Sequence, residues 1–147
     1  KKLYTDTAIT VAVGKASPKA LELIEVTKLA LENALKQVKP GNTIGDIGHA
    51  IQKTVEDAGF STVRDLVGHG VGYAVHEDPN VPGYGTAGKG ITLVENMVLA
   101  IEPMICENKP KIFFDTDGWT IRTHDGGLAA HFEHTIAVTK NGMKILT

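Results

Sequence analysis

Cysteine is almost missing from this chain, whose 147 residues include one thiol, Cys106. One thiol closes no internal disulfide, so nothing points to an oxidising compartment. With no motif around it, Cys106 reads as a small buried hydrophobe rather than a nucleophile. Long apolar runs are missing too. None approaches the ~20 residues of a membrane span, and the Lys-Lys start leads into no signal-like core. The cytoplasm is the expected location, with no membrane partner. Nor does one sign of charge dominate. Fifteen Lys and Arg against 17 Asp and Glu leave a net charge of −2, which builds no basic field for nucleic acid. There is no Walker-type phosphate loop and no Ser in a nucleophile elbow.

The residues present are those of an ordinary globular domain, 42% hydrophobic and 22% charged. The length fits one domain over residues 1–147. Residues 3–13 are dense in β-branched side chains and read as a strand stopped by Gly14. A strand that starts so early and carries an acid, Asp6, suggests a partner strand before it. Ser17-Pro18 opens a helix with the apolar stripe Leu21, Ile24, Leu31, Leu35 and Val38, stopped by Pro40-Gly41. Thr43 and Asp46 resemble a capping box for a second helix, with Ile44, Ile47, Ile51 and Val55 on one face and Gly59 as its stop. His49 lies off that face and reads as a plain surface histidine.

Beyond Gly59 the pattern changes to strands at Phe60–Val67, Met97–Glu102, Lys111–Phe114, Trp119–Thr123, Leu128–Thr139 and Met143–Leu146. Residues 78–90, rich in Pro and Gly, read as a long loop, and Asn141-Gly142 as a hairpin turn. Two helices followed by an antiparallel meander make an α+β domain.

Four stretches carry chemistry. Glu102 and Glu133 each stand among apolar neighbours, where a carboxylate is costly unless paired or bound to metal. His69 is flanked by Gly68 and Gly70, which allow close backbone approach and unusual dihedrals, so a short bend aims the imidazole into a cavity. Asp6 lies in the first strand. His76 has two open roles, a ligand or a substrate-binding acid/base group, the second favoured. An Asp, a His and two Glu offer mostly hard oxygen with one nitrogen, a set that suits Mn, Fe, Co or Zn better than Mg. Bridging carboxylates leave room for two divalent ions, which together activate a water and polarise a carbonyl.

The order and spacing of Gly68-His-Gly-Val-Gly72, Val75-His-Glu-Asp-Pro79, Ala100-Ile-Glu-Pro-Met104, Asp117-Gly-Trp-Thr120 and His131-Phe-Glu-His-Thr-Ile136 resemble those of type I methionine aminopeptidases. These are pita-bread metallopeptidases, related to aminopeptidase P and prolidase. The resemblance implies a curved antiparallel sheet carrying two helices, the C-terminal part of a catalytic domain whose N-terminal half, with a second Asp ligand and a further His, is absent. It implies removal of N-terminal methionine from new proteins by a metal-bound hydroxide, with two metals per complete site. Asp6, His69, Glu102 and Glu133 fall on the metal ligands, and Glu102 also on the general base. His76 falls on the histidine that contacts the substrate amide, while Val75, Met104 and Trp119 fall at the pocket for the first side chain. Val75 replaces the usual aromatic residue, so the pocket wall is expected to be thinner. The partner is a peptide or nascent-protein N-terminus. The chain alone is expected to be a poor enzyme that self-associates or pairs with a chain carrying the other half. The alternatives are an X-Pro peptidase and a non-catalytic protein-binding module on the same fold.

Overall fold

The computed structural model describes residues 2–147. The chain begins with a strand pair at β1, Thr7–Ala8, and enters α1, Pro18–Leu35. Ser17 caps α1 by accepting the Ala20 amide at 3.1 Å, and Pro18 occupies the first turn, where its missing N–H costs nothing. The buried stripe is Leu23, Thr27, Ala30, Leu31, Ala34 and Leu35, which keeps Leu31 and Leu35 of the expected stripe but replaces Leu21 and Ile24. Leu21 is exposed, and Val38 is buried only after the helix has ended. Thr27 enters the core because its hydroxyl donates to the Leu23 carbonyl at 2.7 Å.

The second helix, α2, spans Ile44–Asp57 and has the expected capping box: Asp46 accepts the Thr43 amide at 2.7 Å, and Thr43 accepts the Asp46 amide at 3.3 Å. Ile44, Ile47, Ile51 and Val55 are its buried face, as its 3.6-residue periodicity predicts. The loop over residues 82–90 lies directly on this helix. A Cβ at Gly45 or Gly48 would overlap the carbonyls of Thr86 or Tyr84.

The strands that follow are shorter than the sequence pattern suggests. They are β2 (Ser61–Thr62), β3 (Gly68–Gly70), β4 (Glu77–Val81), β5 (Val98–Ile101) and β6 (Met104–Cys106). After these come β7 (Ile112–Phe114), β8 (Ile121–Thr123), β9 (Ala129–His131), β10 (Glu133–Thr139) and β11 (Gly142–Ile145). All pairings are antiparallel. The larger sheet runs β1-β10-β5-β3-β4 with β11 also on β10, the smaller runs β2-β6-β9, and β7-β8 is a separate hairpin. Helix α1 lies against β5, β6 and β9, and α2 against β2 and β4. Leu99, Ile101, Ile105, Ile136 and Val138 meet the helices in one apolar core.

Several differences from the sequence reading share a cause. The stretch 3–13 pairs only at Thr7–Ala8, and Ile9, Val11 and Val13 are exposed. Propensity marks residues that suit a strand, but a strand also needs a neighbour. Conversely, β4 forms within the expected loop. It pairs only with β3, and an edge strand tolerates Pro79.

The expected strand 128–139 breaks at Phe132 into β9 and β10. Opposite it, the chain breaks at Glu102-Pro103 into β5 and β6. Since His134 pairs with Ile101 and His131 with Met104, the two breaks face one another. Both chain segments cross there between the larger sheet and the smaller, leaving a crease at Glu102 and Glu133.

Candidate metal centre

The crease gathers acids from distant parts of the sequence, and hydroxyl groups hold the backbones that carry them. Thr135, fully buried, accepts the Asp6 amide at 2.8 Å and donates to the Asp6 carbonyl at 2.8 Å. Thr7 donates to the Glu133 carbonyl at 2.9 Å. These bonds tie the N-terminal segment to β10.

His69 sits in the middle of β3, 5% exposed. The flanking glycines have no left-handed dihedrals, contrary to the expected bend. Their role is close approach: β3 lies between β4 and β5, and a Cβ on Gly68 or Gly70 would overlap the carbonyl of Ala100 or Asp78. Nδ1 of His69 is 2.8 Å from the Gly70 carbonyl. A carbonyl only accepts, so Nδ1 carries the hydrogen and Nε2 presents a lone pair. That Nε2 lies 3.2 Å from Glu102 Oε1, and the other oxygen of Glu102 lies 3.2 Å from His131 Nε2.

Glu133, 3% exposed, is the most confined acid of the group, and its Oε1 makes no hydrogen bond among the described residues. Burial, then the neighbouring Glu102 and Asp6 carboxylates, push its pKa up to about 7, with His131 opposing. Ligand atoms of Asp6, His69 and Glu133 lie within 4.8 Å of one another, and so do those of Glu102, His131 and Glu133. An orphaned buried oxygen of Glu133, two further carboxylates around it and imidazole nitrogens beside them are what a divalent cation would satisfy. The donor set fits one.

The structure therefore brings Asp6, His69, Glu102 and Glu133 together. His76 stands next to them, its ring centroid 4.2 Å from that of His69, on an exposed stretch and in neither ligand group. Met104 pairs with His131 and shares with it a largely apolar cavity of about 310 Å³, bordered also by Leu66, Ile121 and Ala130. Val75 is exposed on the β3–β4 connection, and Trp119 is 84% exposed at the turn of the β7–β8 hairpin. Neither belongs to the crease or lines that cavity. The sequence reading assigned no role to His131. Its position two residues before Glu133, which puts both side chains on the same face of a strand, is the signal that would have found it.

Residues 1–140 match the profile of metallopeptidase family M24. The chain belongs to this family. Within it, the methionine aminopeptidase of Aquifex aeolicus is 50% identical over 144 residues, covering 97% of this chain and 56% of that protein. Methionine aminopeptidase A of Synechocystis is 51% identical, covering 98% and 57%. The crystal structure of the Thermotoga maritima methionine aminopeptidase superposes with a TM-score of 0.97 at 52% identity, covering 99% of this chain and 58% of that one. The fold is thus the pita-bread arrangement of two helices on a curled antiparallel sheet. The chain spans a little over half the length of these M24 relatives.

Proposed function

We propose that this chain carries the metal site of a methionine aminopeptidase, acting on the N-termini of new proteins and peptides in the cytoplasm. The reading rests on the convergence of Asp6, His69, Glu102 and Glu133 in one crease, in an M24 chain about half identical to methionine aminopeptidases. We read residues 1–147 as one unit corresponding to the C-terminal part of those relatives' catalytic domain.

Asp6, His69, Glu102 and Glu133 would hold two divalent ions, drawn from Co, Mn, Fe and Zn. Such ions supply Lewis acidity toward the scissile carbonyl and lower the pKa of a water. The protein's own groups do the rest. Glu102, placed between two imidazoles, takes the proton of the attacking water on a carboxylate oxygen. His76, beside His69, donates a ring N–H to the developing oxyanion. The apolar cavity beside Met104 takes the first side chain, with Val75 and Trp119 reaching the substrate from its exposed side.

The test pairs metal analysis with hydrolysis of Met-Ala and X-Pro peptides by the purified protein, alone and with a chain supplying the rest of the relatives' length. Methionine release is expected, with Glu133→Ala losing both metal and turnover. His76→Ala should keep its metal and lose turnover by roughly 10²–10³-fold, as for one lost oxyanion donor. Preference for X-Pro peptides would overturn the methionine assignment, and metal loss in the His76 variant would make His76 a ligand.

A further inference from the structure

We propose that His131 is a metal ligand of this chain, its Nε2 joining Glu102 and Glu133 in a second cation position beside the one formed by Asp6, His69 and Glu133. The inference rests on the metallopeptidase reading and extends it to a residue outside the ligand set expected from sequence.

Three observations carry it. First, His131 Nε2 is buried and makes no hydrogen bond among the described residues, although Glu102 Oε2 is only 3.2 Å away. The two atoms are close but not aligned as donor and acceptor. Nε2 is thus left without a hydrogen-bond partner beside a carboxylate oxygen, a pair of atoms that a cation between them would satisfy. Second, Glu133 Oε1 is orphaned in the same crease, on a side chain 3% exposed, and its ligand atoms complete a group with those of Glu102 and His131 within 4.8 Å.

Third, the backbone of His131 is held on both edges. Thr10 Oγ1 accepts the His131 amide at 2.9 Å and donates to its carbonyl at 2.8 Å. On the other side, β9 pairs His131 with Met104. The imidazole is therefore delivered to the crease by a rigid strand end. His131 also borders the 310 Å³ cavity beside Met104.

With His131 included, each cation position has one imidazole nitrogen and two carboxylates. Imidazole shifts preference toward Zn, Co or Fe and away from Mn and Mg. A simple hydrogen bond from His131 to Glu102 would bring no such shift.

Spin-active cadmium, added to metal-free protein with isotope-labelled histidine nitrogens, shows one scalar coupling for each imidazole nitrogen bound. Two coupled imidazoles are expected, one removed by His69→Gln and the other by His131→Gln. In calorimetric titrations His131→Gln should weaken zinc at one position by roughly tenfold or more, since even partners one shell out cost 10–100-fold, and manganese less. A single coupled imidazole in the unaltered protein, lost only with His69, would overturn the His131 assignment and leave the metallopeptidase reading standing. No coupling at all would overturn both. The unaltered protein alone decides, so the proposal survives a variant that fails to fold.

Discussion

The crease and the β7–β8 hairpin are both short antiparallel features furnished with acids, yet they treat a carboxylate in opposite ways. In the hairpin, Asp117 accepts from the Thr120 hydroxyl at 2.6 Å and from the amides of Thr120 and Trp119 at 2.8 and 2.9 Å. Those bonds hold its carboxyl below the usual range, the Thr120 hydroxyl acting most strongly. Asp115 is lowered likewise, first by its bond to the Arg122 side chain. Every partner lies within seven residues, and both acids stabilise a turn. In the crease, Glu133 has water removed, two other carboxylates nearby and an oxygen without a donor, so its pKa rises. An acid served by its own loop is doing structural work. One raised by burial and by other acids marks a candidate functional site.

The largest expected effect is steric and falls in the sheet that presents His69. Gly70→Ala should destabilise the protein by about 3 kcal/mol, because the new Cβ meets the backbone carbonyl of Asp78, which cannot swing aside. A denaturant midpoint close to that of the unaltered protein would show that β4 gives way instead. Next comes Thr135→Val, which keeps the shape but strips the Asp6 amide and carbonyl of their shared hydroxyl partner. The expected cost is about 2 kcal/mol, with weaker metal binding as Asp6 loosens. Unchanged metal affinity would separate Asp6 from the site.

A smaller effect is a pH slope. The Glu133 carboxyl titrates near 4.5 when unfolded and at about 7 in the folded chain. Between those values the metal-free folded state binds more protons than the unfolded state, so stability should fall as pH rises through this window and level off above it. Glu133→Gln should flatten that slope, and so should saturating zinc, which takes the proton's place. A stability profile that rises from pH 4.5 to 7 in the metal-free protein, with the rise lost in Glu133→Gln, would contradict the crowding of acids. The smallest effect sharpens the contrast: Asp117→Ala should open the hairpin turn and leave metal content unchanged. Metal loss there would mean that the hairpin belongs to the site.

What could be read without coordinates followed the range of the interactions involved. The Thr43–Asp46 capping box and the apolar face of α2 were legible because both close within a few turns of helix. Glu102 and Glu133 stood out as acids in apolar strands, since burial leaves a compositional mark. His69 was found for a partly mistaken reason, its glycines serving strand packing rather than a bend. The α1 stripe was right at Leu31 and Leu35 but missed its first half, because Thr27, polar by composition, is made core-compatible by its bond to the Leu23 carbonyl. His131 was passed over because it is half-exposed and carries no apolar setting, although its spacing of two from Glu133 places both on one strand face.

Residue order was thus sufficient for the helices, their caps, the hairpin turns and the kinds of atom a cation would need. These depend on dihedral preferences and hydrogen bonds between near neighbours, which any stretch of chain carries with it. Tertiary structure decided which strands found partners, where two of them broke to form the crease, and that His131 enters it. Asp6 reaches Thr135 across 129 positions and Thr10 reaches His131 across 121. Contacts over such separations depend on every intervening turn and on the core that closes them, so no local pattern in the sequence records them.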